Sequence, residues 1–132
     1  MRIVFFGSSD FAYRSLEELI KNKFDICTIV TQPDRPHGRH LKLEPSKIKL
    51  LASKFKISVF QPQDLDTEEA INFLKKQEAD LFIVISYGKI LTKNIISIPK
   101  IFSINLHASL LPKYRGAAPI NWALINGEKE TG

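Results

Sequence analysis

Asn105 and His107 stand two residues apart in a run whose other members include Ile101, Phe102, Ile104 and Leu106. Residues two apart on an extended strand project from one face, so the amide and the imidazole would face the same way. A carboxamide offers N–H donors to an oxygen that gains negative charge. An imidazole adds a second donor when protonated, or moves a proton. Nothing in the spacing sets a nucleophile beside the pair: Ser103 and Ser109 are close in sequence, but Ser–His pairing depends on tertiary contact. Two stabilisers of an oxyanion without a nucleophile suit group transfer between two bound substrates, one of which brings the attacking atom. The same residues also admit a structural role, with Asn105 closing a turn and His107 satisfied in the core.

The elements that would position this pair follow from periodicity. Residues 2–6, 25–31, 57–60, 80–86 and 102–107 are short apolar runs rich in β-formers, and the segment DLFIVIS (80–86) is apolar enough for a central strand covered on both faces. Helical spacing recurs over 11–22, with Phe11, Ser15, Leu16, Leu19 and Ile20 on one side, over 46–56, over the segment after Asp66, over 92–97, and from Pro119. Asp10 is expected to cap the first of these helices, and Asp66 with Glu69 to form a capping box for the third. Strands alternating with helices predict an α/β fold, a doubly wound, mostly parallel sheet with helices on both faces. Ligands in such sheets bind beyond the carboxyl ends of the strands. The turn Ser86, Tyr87, Gly88, Lys89, Ile90 should therefore face the end of the 102–107 strand across one cleft, unless it is an ordinary connection.

Composition narrows the function classes. The chain has 132 residues, 44% hydrophobic and 25% charged, the balance of an ordinary globular domain. It has no apolar run long enough to span a bilayer and no signal-peptide pattern at MRIVFFGSS, so a cytoplasmic protein without a membrane partner is expected. Cys27 is the single cysteine, which excludes a disulfide framework and a cysteine-built metal site; it is expected to be buried and inert. A formal charge of +5 permits a nucleic-acid partner without requiring one.

Two further stretches carry weight. Gly7 follows a strand and precedes a helix, but Ser8, Ser9, Asp10 and Phe11 supply neither the second nor the third glycine of a dinucleotide fingerprint. Residues 32–45 form a Pro-rich connection bearing Arg35, His37, Arg39, His40 and Lys42, with Lys47 and Lys49 just beyond. A loop of this length is usually functional or disordered, and its charge suits a phosphate backbone as well as it suits plain solvation. The lysines of the following helix read as its wet face.

The stretch SINLHASLLPKYRGAAPINWALINGEKETG resembles the signature of the folate-dependent formyltransferases, and the likeness extends to MRIVFFGSSDFA, TQPDRPHGR and YGKIL, so that it covers residues 1–132. The GAAPI portion is most similar to the members that act on tRNA. The resemblance implies a Rossmann-like amino-terminal domain that binds 10-formyltetrahydrofolate, without a metal. It implies transfer of the formyl group to the α-amine of methionine on initiator methionyl-tRNA, a step of translation initiation. Asn105 and His107 match two members of the family's catalytic Asn, His, Asp set. The folate segment falls on Ser109, Leu110, Leu111 and Pro112, and the pterin-facing turn on Tyr87, Gly88, Lys89, Ile90 and Leu91. The basic loop matches the insertion that meets the acceptor stem, with Arg35, Arg39 and Lys42 as contacts. A monomer is expected. The motif for the catalytic Asp and the carboxy-terminal tRNA-binding domain do not occur within these residues, so the chain reads as a truncated domain whose His107 lacks its orienting partner and whose last strands are less protected. The alternatives are another folate-dependent enzyme, such as glycinamide ribonucleotide formyltransferase or a formyltetrahydrofolate hydrolase, and a non-catalytic folate or RNA binding module.

Overall fold

The apolar runs and amphipathic stretches form, in order, β1 (Arg2–Gly7), α1 (Asp10–Lys21), β2 (Asp25–Val30), β3 (Pro36–His37), β4 (Lys42–Leu43), α2 (Lys47–Lys54), β5 (Ser58–Phe60), α3 (Glu68–Lys76), β6 (Leu81–Ile85), α4 (Lys93–Ile96), β7 (Phe102–Leu106) and α5 (Pro119–Ile125). They come from a computed structural model that describes residues 1–34, 36–37, 42–43, 45–116 and 118–132, with backbone alone at 36–37 and 42–43. The principal sheet has five strands in the order β5–β2–β1–β6–β7. Every pairing in it is parallel. The expected doubly wound α/β architecture is thus the observed one.

Alternation along the central strands sorts the core into two layers. Ile3 and Phe5 of β1 and Leu81, Ile83 and Ile85 of β6 pack with Ala12 and Leu16 of α1 and Ile48 and Leu51 of α2. Val4, Phe6 and Phe82 point the other way, towards Leu65, Leu74 of α3, Tyr87 and Ile95 of α4. Strands buried on both sides need the unbroken apolar runs that mark β1 and β6 in the sequence. Because the chain winds from β1 to β2 on one side and reaches β6 on the other, the switch point of the sheet lies between the carboxyl ends of β1 and β6. β7 is the strand beyond, and Phe102, Ile104 and Leu106 are each about half exposed along it.

Gly7 has a packing reason rather than a ligand-binding one. A Cβ built there would lie 2.6 Å from both the Ala12 Cβ and the Phe5 ring and 3.1 Å from the Ile85 carbonyl. Ala12 is rooted in the helix backbone and cannot swing aside. Gly7→Ala in the complete protein should therefore cost about 1–3 kcal/mol of stability by overpacking, measured by urea unfolding.

Local details differ from the sequence expectations. Ser9, not Asp10, caps α1: its side chain accepts from the Ala12 N–H at 3.2 Å, and Asp10 is the first helical residue. Asp10 instead pairs with Lys47 of α2 at 2.8 Å. Phe11 is half exposed, and Ala12 takes its place on the buried side. At α3 the cap is Thr67, one residue past the expected Asp66, and it accepts from Ala70 N–H. The Asp66 carboxylate accepts a hydrogen bond from the Thr92 hydroxyl at the start of α4. Within the 32–45 connection, β3 and β4 pair antiparallel. Cys27 is half-buried, not enclosed; its thiol donates to the Ile3 carbonyl, and burial pushes its pKa up, which keeps it a thiol.

Candidate functional site

The register of β7 decides which way its polar side chains point. Ser103 lies beside Phe82 and Asn105 beside Val84, both on the α3/α4 side of the sheet, whereas Ile104 and Leu106 lie beside Ile83 and Ile85 on the α1 side. The Ser103 hydroxyl accordingly reaches the Ile96 carbonyl of α4 at 2.8 Å. Asn105 shares that face, nearer the carboxyl end, with its side chain exposed. His107 follows just past the strand and is half-buried. A groove of about 460 Å³ between α1 and the sheet, lined by Arg14, Leu19, Phe24, Ile83 and Leu106, is on the opposite face and so excludes Asn105.

His107 is held by a short relay. Its Nδ1 lies 2.9 Å from the Ser109 Oγ, and that Oγ lies 2.7 Å from the Lys113 carbonyl. A hydroxyl has one proton, and a carbonyl oxygen can only accept, so the Ser109 proton is committed to Lys113. Nδ1 must then carry the proton and donate to Ser109. The imidazole is fixed as the Nδ1–H tautomer when neutral, with Nε2 left as an acceptor, or as a second donor once protonated. Ser109 thus gives the His107 ring a hydrogen-bond partner of its own, and with its proton directed to the Lys113 carbonyl the hydroxyl is not set up for the imidazole to activate it as a nucleophile. Ser109 is buried, while Leu110, Leu111 and Pro112 are exposed.

The turn after β6 stands beside the end of β7, on the neighbouring strand, rather than opposite it. Its residues divide. The Tyr87 ring is 2% exposed and packs edge-on against Phe6, with ring centroids 5.6 Å apart, so only its backbone can face a ligand. Its hydroxyl is buried without a partner among the described residues, and burial pushes its pKa up to about 12. Gly88 has φ +85 and open space where a Cβ would stand. Ile90 is 82% exposed, and Leu91 is half-buried against the α3/α4 core layer. The Lys89 ammonium is bound to the Gln63 carbonyl. Among the described residues, the backbone groups of 88–91 make no hydrogen bond with one another or with the rest of the fold.

Arg35 and Arg39 lie outside the described residues, and Lys42 is described only as backbone in β4. Two of the lysines counted with the basic stretch are already paired, Lys47 with Asp10 and Lys49 with Asp34. Asp34 belongs to a polar cluster that residue spacing does not reveal. Ser8, Gln61, Lys49 and the Tyr87 carbonyl converge on Gln32 and Asp34 at the root of the basic segment, through contacts that span up to 55 residues of sequence, a range no local pattern encodes. Among the described residues no group of His, Cys, Asp and Glu is arranged to hold a metal ion.

The formyl transferase family model matches residues 1–132. The chain is 59% identical over 133 residues to a protein of Clostridium tetani named methionyl-tRNA formyltransferase, covering 100% of this chain and 43% of that protein. It is 48% identical over 132 residues to the Thermotoga maritima protein of the same name, again over 100% of this chain and 42% of the relative. The chain thus spans less than half the length of the curated relatives it matches. Among solved structures, glycinamide ribonucleotide transformylase 1 of Geobacillus kaustophilus superposes with a TM-score of 0.74 at 23% identity, over 99% of this chain and 70% of its own. A formyltetrahydrofolate deformylase of Pseudomonas syringae does so with a TM-score of 0.69 at 21% identity, over 96% of this chain and 42% of its own. At these identities the two structures share the fold with this chain and say nothing of its acceptor.

Proposed function

The chain belongs to the formyl transferase family along its whole length, and from that premise we propose that it is the donor-binding portion of an enzyme that formylates the α-amine of methionyl initiator tRNA. The observation that carries the reading is the pair Asn105 and His107 at the carboxyl end of β7, with His107 fixed by Ser109 so that Nε2 alone is left to act. The identity with relatives named for methionyl-tRNA supports that acceptor over a ribonucleotide.

The formyl donor enters as a substrate, 10-formyltetrahydrofolate, whose formyl carbon is the electrophile. The turn at 88–91 suits a flat heterocycle, since Gly88 at φ +85 has open space where a Cβ would stand and leaves room for close approach of the backbone. Leu110, Leu111 and Pro112 supply an exposed apolar ledge after His107. As the amine attacks, the Asn105 carboxamide donates to the formyl oxygen that gains charge. Nε2 of neutral His107 takes the proton that the nitrogen sheds, and the imidazolium so formed becomes a second donor to the oxyanion and the acid for the departing nitrogen. No step requires a metal or a protein nucleophile.

A formyl-transfer assay with the complete enzyme tests this directly, using charged initiator tRNA and glycinamide ribonucleotide as rival acceptors. Transfer to the ribonucleotide, or to neither, would overturn the tRNA reading. The basic segment carries its own expectation. Arg35, Arg39 and Lys42 are proposed to neutralise phosphates of the acceptor stem, so Arg39→Ala and Lys42→Ala should each weaken tRNA binding and lower the slope of log K against log salt by about 1. An unchanged slope in filter binding from low to moderate salt would leave the segment as a solvated loop.

A further inference from the structure

The segment that bears the basic residues leaves β2 through a stem that four other elements grip. Gln32 N–H donates to the Ser8 Oγ in the β1–α1 turn at 3.0 Å, and Gln32 Nε2 donates to the Tyr87 carbonyl at 3.3 Å. Gln61, just past β5, donates through Nε2 to the Gln32 carbonyl and to the Asp34 Oδ1, both at 2.9 Å. The second carboxylate oxygen of Asp34 is ion-paired with Lys49 on the first turn of α2. Asp34 immediately precedes the 35–44 segment, and Lys49 lies just after the Ser46 cap that ends it. The pair therefore joins the two ends of the segment at its base.

Stability alone gives this arrangement little purpose. The side chains are 24% and 37% exposed for Asp34 and Lys49, and ion pairs that wet contribute little to folding. An acidic residue at the root of a segment meant to attract phosphates also works against the attraction. The geometry explains the cost: a loop whose ends are held loses less freedom when its middle docks.

We propose that Asp34 is a positioning residue, the centre of a clasp with Lys49 and Gln61 that holds together the two ends of the connection whose basic residues are read as meeting the nucleic-acid acceptor. The clasp rests on the reading of that segment as the tRNA contact. Its hydrogen bond through Gln32 to Tyr87 sets the same stem against the turn proposed for the formyl donor.

The sign of one substitution separates the clasp from simple charge. Asp34→Asn keeps the size and the oxygen facing Gln61 but removes the ion pair. It deletes a negative charge and frees the Lys49 ammonium, so Coulomb attraction by itself would tighten tRNA binding. The clasp requires the opposite. In the complete enzyme, Asp34→Asn should raise the KM for charged initiator tRNA about fivefold or more by loosening the segment, with kcat at saturating tRNA and the KM for the formyl donor unchanged. Lys49→Met should weaken tRNA use as well, and the double variant should be no worse than the weaker single one, since a clasp breaks once. An unchanged or lowered KM for tRNA in Asp34→Asn, or losses that add in the double variant, would overturn the proposal. A wild-type enzyme that does not formylate the tRNA would remove the function and the clasp together. An active wild type with an indifferent Asp34→Asn would remove the clasp alone.

Discussion

Asn105→Ala in the complete enzyme should lower kcat by about 10²–10³, or about 2.7–4 kcal/mol, the loss expected when one preorganised donor to an oxyanion is removed. The KM for the formyl donor should stay within about twofold, because the turn at 88–91 that is proposed to bind it is on a neighbouring strand. Asn105→Asp is the sharper probe. It has the same shape and the same place on the sheet, but it offers a carboxylate oxygen where a charge of the same sign develops, so it should be at least as damaging as alanine. His107→Ala should fall in the same range, and the double variant should lose less than the product of the single losses if both groups act on one oxygen. Single-turnover rates with charged tRNA would read each value. Near-normal rates in Asn105→Asp would mean that the carboxamide does not face the reacting oxygen. Because Asn105 is exposed on the described face and takes no part in the core, thermal unfolding of these variants should match wild type.

The sequence disclosed what depends on local pattern and hid what depends on distance. The five principal strands were legible because β1 and β6 must be apolar on both sides, and Val4 and Phe6 answer a different core layer from Ile3 and Phe5. Asn105 and His107 were legible as anomalies, polar residues at a two-residue spacing in an apolar run. The helix caps were missed by one residue at Ser9 and Thr67, because serine, threonine and aspartate all cap well and only the backbone decides which one turns. The pairing of Asp34 with Lys49 and Gln61 had no counterpart in the spacing, and the lysine read naturally as the wet face of α2. The proposed reaction rests on family resemblance, which periodicity could not have supplied. Ser109 falls between these cases. Its place two residues from His107 was plain, but its direction of hydrogen bonding needed the Lys113 carbonyl, brought back to it by the turn that follows.

That direction gives Ser109→Ala a distinctive outcome. Free neutral imidazole favours the Nε2–H tautomer, so the Nδ1–H form required here is maintained by the acceptor at Ser109 Oγ. Alanine removes the acceptor and leaves Nδ1–H without a partner in a half-buried site. The ring should then revert to the Nε2–H form, whose remaining lone pair points away from the amine. Turnover should drop about tenfold or more, as expected when the group that holds a catalytic imidazole in its tautomer is lost, while the KM for the formyl donor changes little. Nitrogen NMR of His107 supplies a readout that a packing defect would not mimic: a pyrrole-like Nδ1 and pyridine-like Nε2 in the wild type at high pH, exchanged in Ser109→Ala. Ser109→Thr keeps the hydroxyl and should restore both the tautomer and most of the rate. If alanine slowed turnover with the tautomer unmoved, Ser109 would be acting on the donor itself, through the segment it shares with Leu110, Leu111 and Pro112, and the KM for the formyl donor would rise with the loss.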